Sequence, residues 1–212
     1  MIKFSWRKVD KKNNNTPILK DAEIDELAEM LIQDYKPPLL REPSKINYVQ
    51  FLESYLGATL EFLDIYYDEG ERPILGVTAF NVEILKVFDR ENMCINKIKV
   101  NRRTVIIDNS VMEDGKEGLA LFTGIHEGGH LWLHPGVFTE ISGQLSLFGA
   151  PEIKPVVCCR KEDIESFGRT KGFRTALEWR EHHADYFASA IAIPKSTFVP
   201  LANEIIKSKG IL

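Results

Sequence analysis

The sequence predicts an α+β fold, in which a small antiparallel or mixed sheet packs on a central helix and further helices precede the sheet. Three patterns of apolar residues along the chain support this prediction. Apolar residues recur at helical spacing over 21–57, short apolar runs alternate with turn residues over 58–112, and long helical patterns return over 113–212. With 212 residues, the chain is long enough for one domain with a substantial core. We therefore predict a single domain over 21–212, preceded by a flexible N-terminal arm over 1–20.

Two helices are predicted to form a cover at the start of the domain. The first follows Asp21, a residue type that caps helices, and ends before Pro37 and Pro38 because proline cannot continue a helix. A second, short helix is predicted over 47–56 and ends at Gly57. The apolar face of the first helix consists of Ile24, Leu27, Ala28, Leu31 and Tyr35.

Five short apolar runs predict strands, because each is rich in branched or aromatic residues and is bounded by turn residues. Residues 89–92 and 101–103 have the polar composition of tight turns. Strands joined by such turns pair most simply with their neighbours in sequence, so we predict an antiparallel meander. The predicted strands are 60–65, 74–80, 82–88, 95–100 and 104–108.

Composition restricts the functional classes. The net charge is −4 and no basic stripe is interleaved with aromatics, which argues against nucleic-acid binding. No stretch approaches the roughly 20 apolar residues of a membrane span, and no apolar signal segment is recognisable. The cysteines Cys94, Cys158 and Cys159 do not form a disulfide framework, and the adjacent pair lacks the second pair that would complete a metal site. We therefore predict a cytoplasmic protein with reduced thiols that binds neither nucleic acid nor membranes.

The pentapeptide from His126 to His130 fits the pattern H-E-x-x-H, in which two histidines lie four residues apart and a glutamate follows the first. On a helix, positions i and i+4 lie on the same face, so both imidazoles can bind one ion. Glu127 then lies where it can accept a proton from water at that ion. The pattern therefore predicts a zinc site with Glu127 as general base.

The helix that carries this motif is predicted to run from Asp114 to Leu133. Asp114 and Glu117 have the spacing of a capping box, and a proline follows the helix. Apolar residues occupy both of its sides, which predicts a buried helix whose histidines need partners inside the protein. Gly128 and Gly129 each weaken a helix by about 1 kcal/mol relative to alanine, so we expect neighbouring backbone to approach closely there.

A catalytic zinc site needs a third protein ligand. The extended metzincin pattern fails, because Leu133 and Gly136 occupy the positions of its glycine and its last histidine. His134 lies eight residues after His126, about 12 Å further along the helix axis, which is too far for easy sharing of one ion. We expect His134 instead to contact a ligating residue, to bind substrate or to lie at the surface.

A second helical pattern near the C-terminal end supplies the predicted third ligand. Glu181 falls on its apolar face, where an acid is costly to bury unless it meets a cation. Asp185, one turn later, can accept a hydrogen bond from a ligating imidazole and fix its tautomer. Three other residues remain open as ligands, namely Glu178, which has capping-box spacing, and the adjacent His182 and His183.

Together these motifs resemble the ImmA/IrrE family of metallo-endopeptidases. The similarity is specific over about 104–200 and looser over 21–65, where two helices and a proline-rich link are similar to the family's usual opening. The resemblance implies a zincin-like fold with a gluzincin-like glutamate as third ligand. The matching residues are His126-Glu-Gly-Gly-His130, His134, Glu181-x-x-Ala-Asp-x-Phe-Ala188 and the apolar run that ends at Pro194.

The resemblance also implies roles and a function. His126, His130 and Glu181 would hold one Zn²⁺ per chain, and Glu127 would be the general base. The implied function is site-specific cleavage of a regulatory protein, such as a helix-turn-helix repressor encoded by a phage-like or other mobile element. We expect a narrow substrate range and poor activity on generic substrates such as casein.

Several features of the site stay open. Oxyanion stabilisation could come from Tyr186, His183 or His134, and an extended substrate could add to a sheet edge at 104–108. The long stretch over 136–174 would form a cleft wall particular to this chain. The alternative function is a non-proteolytic, zinc-bound regulator that acts through protein–protein binding, as in a toxin–antitoxin pair.

Overall fold

The computed structural model describes residues 2–13, 15–138 and 175–210, together with the strand at 156–160. These residues form a mixed α+β protein, so the predicted class is confirmed at that level. The predicted cleft wall over 136–174 lies largely outside the described residues, and so do the side chains of the adjacent cysteines. Within the described ranges, no helix is long and apolar enough to cross a membrane.

The N-terminal segment packs on the helical half of the protein. Its short strands, β1 (Val9–Asp10) and β2 (Thr16–Pro17), pair antiparallel. Trp6 Nε1 donates a hydrogen bond to the carbonyl of Leu133 at 3.1 Å, and its ring meets Trp132 edge to face with centroids 5.7 Å apart. The sequence predicts a flexible arm here, and the structure instead docks it, because aromatic burial and a specific hydrogen bond outweigh the polar composition.

Two helical segments follow, as the sequence predicts. Helix α1 (Asp21–Tyr35) ends before the two prolines, and α2 (Tyr48–Gln50) continues as a π-helical turn over Phe51–Tyr55. Asp21 is the first helical residue, and the N-cap position belongs to Lys20. Apolar residues of both segments join the main core, which fixes their place against the later helices.

Strands β3 to β8 follow the helices, and four of them form the main sheet, in the order β3-β7-β4-β8. Strand β3 runs parallel to β7, whereas β4 is antiparallel to both of its neighbours. Strands β5 and β6 form a separate antiparallel hairpin. The predicted antiparallel meander is therefore wrong. The bounds are β3 (Thr59–Leu63), β4 (Ile74–Ala79), β5 (Glu83–Asp89), β6 (Cys94–Val100), β7 (Thr104–Asp108) and β8 (Val156–Arg160).

Strand β7 lies in the interior of the main sheet, between β3 and β4. All five of its residues are buried, and Val105, Ile106 and Ile107 form an uninterrupted apolar run. A strand covered on both faces carries such a run, whereas a half-exposed strand alternates. The predicted peptide-binding edge at 104–108 is therefore wrong, and the edges of the main sheet within the described residues are β3 and β8.

Helix α3 (Glu117–Leu133) carries the H-E-x-x-H motif, and the short α4 (Pro135–Phe138) follows it. Helix α3 ends where the sequence predicts but begins three residues later. Gly115 has a φ of 83°, and this left-handed conformation separates Asp114 from the helix. Lys116 therefore occupies the N-cap position, and the predicted capping box is absent.

Helices α5 (Ala176–Ala192) and α6 (Lys195–Ser208) complete the described fold. Thr175 accepts a hydrogen bond from the backbone N–H of Glu178, whose carboxylate accepts one from the backbone N–H of Thr175. This reciprocal capping box has the spacing noted in the sequence. It fixes the start of α5.

Helix α3 packs closely on its neighbours at two glycines. A Cβ on Gly129 would lie 3.0 Å from Phe187 Cδ1 in α5, and one on Gly128 would lie 2.7 Å from a methyl carbon of Leu52. Both approaches are shorter than ordinary contacts, so alanine would clash despite its higher helix propensity. The nearest neighbours at both glycines are therefore side chains, and backbone comes close only at Gly129, where an added Cβ would lie 3.4 Å from Ala184 Cα.

Docking of the N-terminal segment makes Trp6 a determinant of stability. We expect Trp6→Ala to lower the free energy of unfolding by about 1–3 kcal/mol, because half-buried aromatic surface and a hydrogen bond are lost. Phe4→Ala is the matched control, with an expected loss below about 1 kcal/mol, since Phe4 is 50% exposed in the same aromatic cluster. Urea unfolding followed by circular dichroism measures both. Equal stability of Trp6→Ala and the wild type would show that the segment is not docked in solution.

Candidate metal centre

Helices α3 and α5 bring two histidines and one glutamate together. The Nε2 atoms of His126 and His130 lie 3.0 Å apart, and Glu181 Oε2 lies 3.4 Å from the first and 3.6 Å from the second. The i, i+4 spacing puts both rings on the face of α3 that packs on α5. Within the described residues, these three side chains are close enough to hold one metal ion.

Asp185 orients the first of these imidazoles. Its Oδ1 lies 2.9 Å from His126 Nδ1, and both side chains are buried. A ring that donates its proton through Nδ1 keeps a lone pair on Nε2, which is the atom that faces His130 and Glu181. The predicted contact between Asp185 and one of the candidate ligand histidines is therefore present.

His134 contacts the second imidazole. It is fully buried one turn after His130, and the Nδ1 atoms of the two rings lie 3.1 Å apart. Burial lowers the pKa of His134 well below its ordinary value, and the neighbouring His130 lowers it further. The neutral His134 ring can then accept the Nδ1 proton of His130, which leaves a lone pair on His130 Nε2. Of the roles considered for His134, contact with a ligand residue fits this geometry and a surface position does not.

The three inward-facing atoms are all hydrogen-bond acceptors in this arrangement. Glu181 Oε2 makes no hydrogen bond within the described residues, and the side chain is 18% exposed. Acceptors this close repel one another unless a cation lies among them. Two imidazole nitrogens and one carboxylate oxygen form a donor set that fits a divalent transition metal.

Glu127 lies against the sheet, on the side of α3 that faces β4. It is fully buried, and the hydroxyl of Thr78 donates a hydrogen bond to its carboxylate. Gly76 leaves the room for it, since a Cβ there would lie 2.7 Å from Glu127 Oε1. Burial raises the pKa of Glu127, while His126 and His130 act in the opposite direction. The motif glutamate is thus held in one position beside the two histidines.

Sequence reasoning missed Gly76 and Thr78 as residues of the site. The glycine carries a usable signal, because a glycine inside an apolar strand often marks the close approach of another group. The threonine carries none, since threonine is common in strands for reasons of packing. Contacts between a strand and a helix that are 49 residues apart follow from tertiary structure alone.

The other candidates for third ligand have different partners. His182 Nε2 lies 2.8 Å from Asp21 Oδ1, at the start of α1. Glu178 belongs to the capping box of α5. His183 is 1% exposed and stacks on His134 with ring centroids 5.8 Å apart. None of these three joins the group of donor atoms within the described residues.

The candidates for oxyanion stabilisation are also held by other contacts. The hydroxyl of Tyr186 donates to Asp25 in α1 at 3.1 Å. His183 and His134 stack on each other, and His134 is in addition in contact with His130. The described geometry therefore gives no preference for any of the three as an oxyanion donor.

No model of a protein family matches the chain significantly. Curated proteins and solved structures likewise give no significant match. The geometry of the metal centre and the motif resemblance are therefore the basis for a functional conclusion.

The hydrogen bond to His126 predicts that Asp185 affects the affinity of the candidate site for a metal ion. We expect Asp185→Asn to weaken binding of Zn²⁺ by about 10–100-fold, because an amide stabilises the ligating tautomer less well than a carboxylate. Asp25→Asn is the matched control, since Asp25 bonds Tyr186 of the same helix and lies outside the donor group. Titration calorimetry on metal-free protein measures both. Unchanged affinity in Asp185→Asn would show that the contact does not orient the ligand.

Proposed function

We propose that this protein is a zinc-dependent endopeptidase. The proposal depends mainly on the triangle formed by His126 Nε2, His130 Nε2 and Glu181 Oε2, with edges of 3.0, 3.4 and 3.6 Å. In a tetrahedral zinc site with bonds of about 2.0–2.2 Å, ligand atoms lie about 3.3–3.6 Å apart. The observed edges are close to this spacing, and three protein ligands leave one position for water or substrate.

Each residue of the site then has a distinct task. His126, His130 and Glu181 would hold the zinc, while Asp185 and His134 orient the two imidazoles. The chemistry that zinc supplies at such a site is polarisation of a carbonyl and a lowered pKa of water. Glu127 accepts a proton from the attacking water and later donates it to the leaving amine.

The buried position of Glu127 favours the proposed transfer of a proton, because it changes the pKa of the carboxyl. A buried carboxyl has a raised pKa, and a catalytic acid or base works best when its pKa approaches the working pH. The hydrogen bond from Thr78 holds the carboxylate in one position. The raised pKa supports a catalytic role for Glu127.

The proposed substrate is a regulatory protein, such as a helix-turn-helix repressor, cleaved at one site. Support for this class comes from the resemblance to the ImmA/IrrE family in the motif residues. An extended segment would add to the outer edge of β8, because β8 neighbours β4, the strand that contacts Glu127. The proposal includes a narrow substrate range, and rapid digestion of casein would contradict it.

One observation favours the alternative, a non-proteolytic regulator that holds zinc and acts by binding a protein partner. Glu127 is fully buried and its carboxylate already bonds Thr78, an arrangement that also suits a purely structural group. In that case the ion would stabilise the packing of α3 on α5. The two functions are distinguished by whether the protein still cleaves peptides when the Glu127 carboxylate is replaced by an uncharged amide.

Replacing Glu127 is the direct test. We expect Glu127→Gln to lower cleavage by about 100–10,000-fold while zinc remains bound, because the base is lost and the ligands are kept. Glu117→Gln is the matched control, since Glu117 is exposed on the same helix. The measurement is mass spectrometry of a peptide library prepared from a bacterial proteome, incubated with zinc-loaded protein.

The outcomes separate the hypotheses. Cleavage by the wild type and by Glu117→Gln, but not by Glu127→Gln, would support the endopeptidase. Equal cleavage by all three proteins would rule out Glu127 as the base. Absence of cleavage by wild-type protein with one zinc bound would favour the regulator.

A further inference from the structure

A cavity of about 400 Å³ lies between the N-terminal hairpin β1–β2 and the first two turns of α5. This volume is in the range of small-molecule sites. Trp179 and His183 of α5 line it. Each is two residues from Glu181 in sequence, so its side chain projects about 200° away from that of Glu181 around the helix axis. The cavity is therefore on a different face of α5 from the metal centre. Its wall from the hairpin side includes Thr16, Pro17 and Leu19.

His183 is a buried polar group of this wall without a hydrogen bond. It is 1% exposed, and neither ring nitrogen makes a hydrogen bond within the described residues. The Leu19 backbone lies near the ring but outside hydrogen-bonding geometry. A neutral imidazole offers one donor and one acceptor. A buried polar group of this kind is costly unless a partner satisfies it, and the cavity is where a partner can enter.

Trp179 supplies a flat surface beside this histidine. Its side chain is 42% exposed, and its ring centroid lies 5.9 Å from that of His183. An indole in the wall of a cavity binds planar rings by stacking, and this contact tolerates different ring systems. A ligand stacked on Trp179 would be within reach of a hydrogen bond to the adjacent imidazole.

The charges around the cavity restrict the ligand further. Asp10 and Lys20 are the charged residues of its described lining, and their charges cancel. The Asp10 carboxylate is also occupied, since it accepts hydrogen bonds from Lys12 and Asn13. A phosphate group would require a surplus of basic side chains, which this lining lacks. The ligand that fits is therefore uncharged.

We infer that this cavity binds an uncharged planar heteroaromatic molecule of nucleobase or nucleoside size, stacked on Trp179 and hydrogen-bonded to His183. The inference does not depend on the proposed peptidase activity. The site is nevertheless close to the metal centre. His183 stacks on His134 with the rings inclined by 24°, and His134 Nδ1 lies 3.1 Å from His130 Nδ1. Two ring contacts thus connect the bound ligand to a metal ligand.

Titration with defined probes tests the inference. The probes are adenine, adenosine, guanosine and uridine, with AMP and ATP as charged comparators. We expect at least one uncharged probe to bind at one site per chain, in calorimetry and by quenching of tryptophan fluorescence. Trp179→Ala and His183→Leu are expected to weaken that binding by about tenfold or more.

Two control variants separate a local effect from misfolding. His182→Leu changes the adjacent histidine, whose ring bonds Asp21, and Leu177→Ala changes an exposed residue of α5 that does not line the cavity. Both are expected to bind as the wild type does. Because Trp179 is partly exposed, its variant is expected to fold even if His183→Leu does not, and circular dichroism checks this.

Three results would overturn the inference. The first is absence of binding by every uncharged probe at millimolar concentration. The second is binding that is unchanged in a folded Trp179→Ala, which would put the probe elsewhere. The third is tighter, salt-sensitive binding of AMP or ATP than of the nucleosides, which would identify an anion site instead.

Discussion

Burial of polar side chains on α3 is the constraint on which the rest of the structure depends. His126, Glu127 and His130 are completely inaccessible to solvent, because they lie in the C-terminal half of α3, where every residue from Thr123 to Leu133 is buried. Such groups are tolerated inside a protein only when each finds a partner. Helix α5 supplies Asp185 to one histidine, and β4 supplies Thr78 to the glutamate. The positions of α5 and of the sheet are therefore set by polar contacts as much as by apolar packing.

Helix α5 serves two sites that face different ways. Glu181 and Asp185 turn towards α3, while Trp179 and His183 turn towards the N-terminal hairpin. The hairpin in turn is tied to α5 through Arg180, whose guanidinium donates to Thr16 at 3.0 Å. One helix thus contributes Glu181 to the candidate metal centre and forms one wall of the cavity. A small displacement of α5 would change the geometry of both the candidate metal centre and the cavity.

Local patterns predict the proximity of His126, His130 and Glu181 better than they predict the topology of the sheet. The spacing of His126 and His130, and the position of Glu181 on a helical face, follow from a period of 3.6 residues and need no tertiary information. The parallel pairing of β3 with β7 joins segments more than 40 residues apart, and no local signal specifies it. The sequence likewise predicts a loose arm over 1–20, whereas Trp6 is bound by partners near residue 133 that no local pattern indicates. Interactions between distant segments account for the main errors.

The separation of the metal ligands along the chain has a consequence for folding. His130 and Glu181 are 51 positions apart, since 181 − 130 = 51, so an ion held by both closes a long loop. Because such an ion is released when the chain unfolds, it would stabilise the protein through its binding free energy to the folded state. The same ion would then act as a reversible cross-link between α3 and α5. Loss of the ion and opening of the α3–α5 interface would be coupled steps of a single equilibrium.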